Sequence, residues 1–364
     1  MAAATPVIPI IDISAAGTDE LDVAKALVDA AAEHGFVYIK NTGKDITAQQ
    51  ISNAFDLSRA LFASPIEEKQ KCTIQKNNQG WSGMHTETLD PSSQRVGDYK
   101  EAFNFGPFTP AHAAQQPLPS TLAAAQVAEI AQFRGACHTL CERLLHLFGA
   151  GLGVAPPDFF AASHEPDRPS GSILRFLYYP APTAVQSSSS SSSAIEAGEV
   201  RAGAHSDYGS VTLLFRLRGQ AGLEILTRAG AWEPVPVCPP GTEDDPSPPI
   251  LVNIGDLLSY WTNGLLRSTV HRVTFEGDGS GGKKVIGESN SEPRYSIVYF
   301  CHPTNDTQLT AVPSTRVKEF KGGLAEANGG NPYAERKVLT ADEHLKMRLQ
   351  ATYLQMYEKD GKTA

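Results

Sequence analysis

Short β-rich runs, separated by Pro and Gly, follow one another through the chain after residue 170. They cover residues 171–179, 211–217, 222–227, 232–236, 250–254, 269–275 and 294–301. Many short strands with turn residues between them are typical of a β-sandwich or a β-barrel. We therefore predict that this half of the chain forms a β core.

Helical patterns dominate the chain before residue 170. Charged and apolar positions alternate at helical spacing over residues 19–34, and further helices are predicted over 47–62 and 119–152. Residues 76–110 are predicted to be rich in loops. A last amphipathic helix is predicted over 340–358, so helices should wrap the β core.

These patterns predict one domain that is mainly β with flanking helices. Residues 1–170 should form a helix-rich region that packs on the core of residues 171–338, followed by a C-terminal helix and tail over 339–364. The low-complexity segment 186–200 contains an unbroken serine run at 187–193. Serine cannot bury apolar area, so we expect a surface loop without a role in recognition.

Composition limits the partners that the chain can have. The formal net charge is −9, and no cluster of Lys and Arg interrupts the acidic balance, which disfavours nucleic acid and anionic membranes. No apolar stretch is long enough to span a bilayer, and the N-terminal sequence is not predicted to be a signal peptide. The five scattered cysteines are an odd number, which favours reduced thiols. We expect a cytoplasmic monomer that acts on a small molecule.

His205 and Asp207 are two residues apart, and such positions of an extended segment point to the same side. His271 lies in a second strand-like run, which an antiparallel barrel can bring close although residues 208–270 intervene. Two imidazoles and one carboxylate can occupy one face of an octahedral ferrous ion and leave positions for oxygen and a cosubstrate. A structural role for the histidines is the alternative.

Arg294 and Ser296 are also two residues apart, in the last β-rich run. A guanidinium presents a rigid fork to a carboxylate, and Ser296 should point the same way. An arginine in this run would be costly to bury without a partner. The pair therefore predicts a site for the far carboxylate of a 2-oxo acid, with a surface salt bridge as the alternative.

Together these segments resemble a known family. From residue 6 to residue 358, the chain is similar to the isopenicillin N synthase-like, non-haem Fe(II) and 2-oxoglutarate-dependent dioxygenases. The matching segments are residues 9–12, 34–36, 178–180, 204–209, 253–256, 268–273 and 294–296. The resemblance implies a double-stranded β-helix, or jelly-roll, core.

The resemblance also implies cofactors and site residues. Its implied ligands of Fe(II) are His205, Asp207 and His271. Its implied contacts of the distal carboxylate of 2-oxoglutarate are Arg294 and Ser296, with Tyr179 near the same carboxylate or else a core aromatic. Many plant members carry Asn where this chain has Leu177, and that Asn touches the oxo-acid end of the cosubstrate.

The implied reaction uses O2 to oxidise a C–H bond of a small organic molecule, and it releases succinate and CO2. Hydroxylation, desaturation and ring rearrangement are all open, and a specialised metabolite is the expected substrate. The first alternative is an oxidase of the same fold that does not need 2-oxoglutarate and binds a substrate carboxylate at Arg294. The others are a non-catalytic binding protein and a nucleic-acid demethylase, which the acidic balance disfavours.

Candidates for contact with the substrate come from aromatic and polar residues near these motifs. They are Trp81, Met84, His85, Phe103, Phe105 and Tyr299, with His302 beside the last. Binding pockets are mostly apolar, so each candidate could contact substrate or serve only in packing.

Overall fold

The computed structural model describes residues 8–14, 19–90, 94, 96–108, 116–181, 200–274, 292–320 and 338–352. The serine run 187–193 and the tail after residue 352 lie outside these residues, so the predictions for them stay predictions.

The predicted helices lie close to where their patterns place them, and further short helices occur between them in the described residues. They are α1 (Glu20–His34), α2 (Ala48–Phe62), α3 (Ile66–Lys71), α4 (Ala124–Gly151), α5 (Asp256–Trp261), α6 (Thr315–Glu319) and α7 (Ala341–Thr352). The carboxylate of Asp19 caps α1 by accepting the backbone N–H of Leu21. Gly35 ends this helix with a φ of 69°, a conformation that favours glycine.

The strands form two sheets. They are β1 (Ile10–Ile11), β2 (Phe36–Ile39), β3 (Gly80–Ser82), β4 (Glu101–Phe105), β5 (Ile173–Tyr179), β6 (Val200–His205), β7 (Val211–Arg216), β8 (Leu223–Leu226), β9 (Trp232–Pro234), β10 (Ile250–Ile254), β11 (His271–Thr274) and β12 (Arg294–Cys301). The larger sheet has the order β1-β2-β10-β7-β12-β5-β4-β3, and the smaller has β6-β11-β8-β9. Every pairing is antiparallel except β1 with β2.

The two sheets pack face to face through an apolar cluster. Its members on the larger sheet include Leu177, Tyr179, Leu214 and Val298, and those on the smaller include Ala202, Leu223, Ile225 and Val273. Side chains alternate between the faces of a strand, so Ile297 and Tyr299 of β12 join the cluster on the helix side instead. This arrangement confirms the predicted jelly-roll core with flanking helices.

Three strands were not predicted from the sequence. The described part of residues 76–110 is rich in loops, as expected, but it contains β3 and β4, which extend the larger sheet beyond β5. β4 has Glu101 and Asn104 among its five residues, so its sequence shows neither a continuous apolar run nor a regular apolar–polar alternation that would have marked a strand. β6 was also missed, because its sequence has few β-branched residues and its pairing with β11 defines it.

Within the described parts of the chain, no helix combines the length and the apolar character that crossing a bilayer requires.

Candidate active site

The three predicted iron ligands meet at the edge of the smaller sheet. His205 is the last residue of β6 and pairs directly with His271, the first residue of β11. Asp207 follows in the loop after β6, and its Oδ1 lies 3.7 Å from Nε2 of His271. One ligand atom from each of the three residues lies within 4.8 Å of the others. Strand pairing thus brings together two histidines that are distant in sequence.

Hydrogen bonds orient each of these side chains. Nδ1 of His205 lies 2.7 Å from the carbonyl of Gly203, and Nδ1 of His271 lies 3.1 Å from that of Thr269. A carbonyl can only accept, so both Nδ1 atoms carry the proton and both Nε2 atoms keep a lone pair for a metal. Burial, and then the nearby His271, lower the pKa of His205, which favours its neutral form.

The carboxylate of Asp207 is held in a similar way. Nδ2 of Asn253 donates to its Oδ2 over 2.9 Å, which leaves Oδ1 on the side of His271. Two imidazoles that are oriented through Nδ1 and one oriented carboxylate form a donor set that fits a ferrous ion and leaves coordination positions for other ligands.

The turn that follows β10 fixes the loop carrying Asp207. The backbone N–H groups of Gly255, Asp256 and Leu257 donate to the carbonyls of Ser210, Asp207 and Gly209 over 3.0, 2.7 and 3.1 Å. The contact is so close that a Cβ on Gly255 would lie 2.1 Å from the carbonyl oxygen of Gly209. The start of α5 therefore holds the metal-binding loop through its backbone.

The carboxylate of Asp256 connects both ligand segments, a role that sequence reasoning missed. It accepts hydrogen bonds from Ser206, between the first two ligands, and from Ser268, three residues before His271, over 3.0 and 2.6 Å. It also pairs with Arg348 of α7 over 2.9 Å. The sequence had marked Asp256 only as a member of segment 253–256, which resembles the family, and had assigned it no role.

A cavity of about 110 Å³ opens between the sheets, and its lining includes the three predicted iron ligands. Arg294, Ser296 and Tyr179 line the same cavity. Arg294 is buried, and its Nη1 lies 3.5 Å from Oγ of Ser296. Its guanidinium carbon lies 4.9 Å from the centre of the ring of Tyr179, the residue on β5 with which Arg294 of β12 is paired.

Arg294 needs an anion that the described part of the chain does not supply. Its Nε donates to the carbonyl of Ala221 over 3.1 Å, and no carboxylate of the described residues lies within 4 Å of the guanidinium. Burial lowers the pKa of Arg294, which shows how poorly this place suits an isolated cation. A carboxylate ligand in the cavity would offset this cost.

A cluster of buried charges forms another wall of the cavity, and the sequence had not indicated it. Nζ of Lys100 lies 2.5 Å from Asp98 and 3.1 Å from Glu87, and Glu87 also pairs with Arg175 over 3.2 Å. Burial would lower the pKa of Lys100, but the two carboxylates raise it above its ordinary value. Asp98 accepts the backbone N–H of Gly203, which ties the cluster to β6.

Comparison with known proteins agrees with this geometry. Residues 170–303 match the 2OG-Fe(II) oxygenase superfamily, and residues 8–139 match the non-haem dioxygenase in morphine synthesis N-terminal family. A UPF0676 protein of Schizosaccharomyces pombe is 36% identical over 309 residues, which are 83% of this chain and 84% of that protein. The chain belongs to the non-haem Fe(II) and 2-oxoglutarate-dependent oxygenases.

Other members of this oxygenase family match over nearly their whole length. Proline hydroxylase buaE of Petromyces alliaceus is 29% identical, over 92% of this chain and 98% of that protein. A full-length Neurospora crassa protein, solved with alpha-KG and thymine, has a TM-score of 0.72 at 26% identity, over 94% of this chain and 96% of that one. A putative 2OG-Fe(II) oxygenase of Caulobacter crescentus has a TM-score of 0.70 at 26% identity, over 96% and 99%.

As a member of this family, the protein is an enzyme that uses Fe(II), 2-oxoglutarate and O2. Solved relatives bind alpha-KG, and the three grouped ligands supply the donor set that Fe(II) prefers. The expected cofactors are thereby confirmed.

The predicted substrate residues lie elsewhere than expected. The cavity lining does not include Trp81, Met84, His85, Phe103, Phe105 or Tyr299. Phe103, Phe105 and Tyr299 belong to the helix-side core, and Oη of Tyr299 bonds to Nδ1 of His138 on α4. Sequence alone does not say which of two alternating faces lines a cavity. For β12 the opposite face does, and no residue of β4 belongs to the lining.

The substrate candidates on β3 and in the loop that follows it make contacts outside the cavity. Nε1 of Trp81 donates to Glu101 over 2.8 Å at the sheet edge, and Nδ1 of His85 lies 2.8 Å from the carbonyl of Gly97. Among the substrate candidates named from the sequence, only His302 lines the cavity. Other lining residues, away from the predicted iron and cosubstrate sites, include Asn78, Leu89, Tyr208, Phe300, Leu345 and Leu349.

Proposed function

We propose that this enzyme oxidises a C–H bond of a small organic molecule, a specialised metabolite, and releases succinate and CO2. The observation that carries the proposal is one cavity with a His-Asp-His group and a buried arginine in its lining. In this proposal His205, Asp207 and His271 hold Fe(II). Arg294 holds the distal carboxylate of 2-oxoglutarate.

When bound, Fe(II) and 2-oxoglutarate together supply the activation of O2 that C–H oxidation needs. The residues of the chain orient the reactants and exclude water. Arg294, Ser296 and Tyr179 would hold the distal carboxylate of the cosubstrate. Leu177 would offer an apolar surface to its oxo-acid end, where many plant relatives carry an amide. The lining around Phe300 and His302 is left for the substrate.

Named relatives support a small-molecule substrate without identifying it. Their names specify proline, homoarginine and validamycin A, which are all small polar molecules. The acidic net charge and the free cysteines support a cytoplasmic monomer that does not bind nucleic acid. The buried cation of Arg294 would suit either 2-oxoglutarate or a substrate carboxylate, and it is the binding of alpha-KG by solved relatives that argues against an oxidase without 2-oxoglutarate.

The test is succinate release by anaerobically Fe(II)-loaded enzyme, exposed to O2 with 2-oxoglutarate and a panel of small aromatic, alicyclic and amino-acid metabolites. We expect one substrate class to stimulate succinate release and to appear as an oxidised product by mass spectrometry. Asp207→Ala should abolish both signals together with Fe(II) binding. The exposed Asp22→Ala is the matched control and should keep them.

Two outcomes would contradict the proposal. Substrate-dependent O2 consumption without 2-oxoglutarate would indicate the oxidase. Full Fe(II) binding by Asp207→Ala would show that the ligand set is wrong.

A further inference from the structure

The C-terminal helix α7 forms part of the cavity wall. Leu345 and Leu349 are four residues apart, on one face of the helix, and both line the cavity. Leu345 approaches the backbone of Gly171 so closely that a Cβ there would lie 2.3 Å from its Cδ2. Met347 lies on another face and is 37% exposed. One apolar face of α7 is thus presented to the site.

Arg348 connects this helix to the metal-binding loop. Its Nη2 lies 2.9 Å from Oδ2 of Asp256 and 3.2 Å from Oγ of Ser206, the residue between two of the predicted ligands. The guanidinium carbon lies 4.8 Å from the centre of the Tyr208 ring. A planar guanidinium can stack on the tyrosine ring while Nη2 donates to both oxygens, an arrangement that the ammonium of a lysine cannot reproduce.

Among the described residues, backbone hydrogen bonds connect only the start of α7 to the rest of the chain. The N–H groups of Ala341 and Asp342 donate to the carbonyls of Thr307 and Asn305 over 2.9 and 3.1 Å. The second half of the helix, which carries Leu349, has its polar anchor at Arg348. Loss of this anchor should therefore free the part of the wall that lies farther along the helix.

We infer that Arg348 is a positioning residue, which docks α7 on the loop of the metal ligands so that the substrate-side wall and the iron site are assembled together. The inference rests on the proposed function of the cavity. Arg348 acts through Asp256 and Ser206, because its guanidinium contacts both of these residues and stacks on Tyr208. The wall that it positions suits a substrate with an apolar face towards α7.

The first experiment is amide hydrogen exchange of residues 341–352 in the anaerobic enzyme loaded with Fe(II) and 2-oxoglutarate. Arg348→Met should raise exchange in the second half of the helix by about 10-fold or more, because its docking contact is gone. Arg348→Lys keeps the charge but not the fork, and it should give a smaller rise. Met347→Ala, on the exposed face of the same helix, should stay within about 2-fold of wild type.

The second readout separates positioning from general destabilisation. The dissociation constant of Fe(II) should rise about 10-fold in Arg348→Met, as for other changes outside the ligand set. That of 2-oxoglutarate, measured by calorimetry on the same iron-loaded variant, should stay within about 2-fold because Arg294 is untouched. A variant that was merely less stable would weaken both affinities alike.

Unchanged helix exchange in both Arg348 variants would overturn the inference, as would equal exchange in Met347→Ala and Arg348→Met. If Arg348→Met does not fold, Arg348→Lys alone decides on the same exchange readout. These results are distinct from a failure of the proposed function, which would appear as normal Fe(II) binding by Asp207→Ala.

Discussion

At the scale of single residues, the predicted iron ligands depend on neutral groups that orient them. Asn253 is the clearest case, because its amide donates to the carboxylate oxygen of Asp207 that faces away from His271. Such hydrogen bonds keep a ligand in position before the metal arrives. Affinity for iron should therefore depend on residues that never touch it.

Asn253→Leu tests this dependence. The substitution keeps the size of the side chain and removes the donor, so we expect the dissociation constant of Fe(II) to rise about 10- to 100-fold. Equilibrium binding under anaerobic conditions measures it. Asn41→Leu is the matched control, since Asn41 is also buried but donates to Ser247 instead. Equal losses in both variants would contradict the argument.

Arg294→Met tests the grip on the cosubstrate. Loss of the charge-assisted contact should raise the dissociation constant of 2-oxoglutarate on the order of 100-fold. The affinity for 2-oxobutyrate, which lacks the distal carboxylate, should hardly change. Calorimetry on the iron-loaded protein gives both constants. Arg134→Met removes another buried arginine, on the helix side, and should leave both constants alone.

At the scale of elements, the site is held by close backbone contacts between a turn and a loop. Gly255 lies against Gly209, and a Cβ on Gly209 would itself lie 2.5 Å from the carbonyl oxygen of Cys301. Three chain segments therefore meet where only hydrogen atoms fit between the backbones. This contact positions Asp207 independently of any side chain.

Gly255→Ala should disturb this packing. We expect the free energy of unfolding to fall by about 1–3 kcal/mol, because neither backbone can easily move away. Chemical denaturation measures it, with iron affinity as a second readout. Gly135→Ala on α4 is the control, where a Cβ meets nothing within 4 Å. There, alanine should stabilise the helix by about 0.5–1 kcal/mol.

The same scale shows how far sequence reasoning reaches. β10 and β12 begin and end where their apolar runs predict, because burial on both faces leaves a continuous signal. The residue types of the proposed ligands and of Arg294 also predict their grouping around one cavity, since these side chains carry the chemistry. The substrate-side wall was not, because it depends on strand register, on the buried pairs around Lys100 and on a helix that packs from the far end of the chain.

At the scale of the whole molecule, burial keeps several histidines neutral. Burial, partly offset by Asp256, lowers the pKa of His344 to about 4, and burial lowers that of His302 to about 3. An unfolded histidine titrates near its ordinary value of about 6.5. Between these values the unfolded chain binds more protons than the folded one, so stability falls as the pH drops below about 6.5.

His344→Asn should reduce this loss of stability in acid. A shift of the pKa from about 6.5 to 4 makes wild type lose on the order of 2 kcal/mol between pH 8 and pH 5 through this one residue. Denaturant unfolding at both pH values should show a smaller difference for the variant. The half-buried His146, whose side chain is 39% exposed, is the control. His146→Asn should behave like wild type, and the same slope in all three proteins would refute the assignment.

In the proposed site, the pairing of His205 with His271 would make the metal a bridge between neighbouring strands, β6 and β11. An ion bound only by the folded chain stabilises it by about 2.7 kcal/mol when the free ion is at 100 times its dissociation constant. A chelator should consequently act on this protein as a mild denaturant and lower its melting temperature. The Asp207→Ala protein, which has already lost the bridge, should melt at the same temperature with or without it.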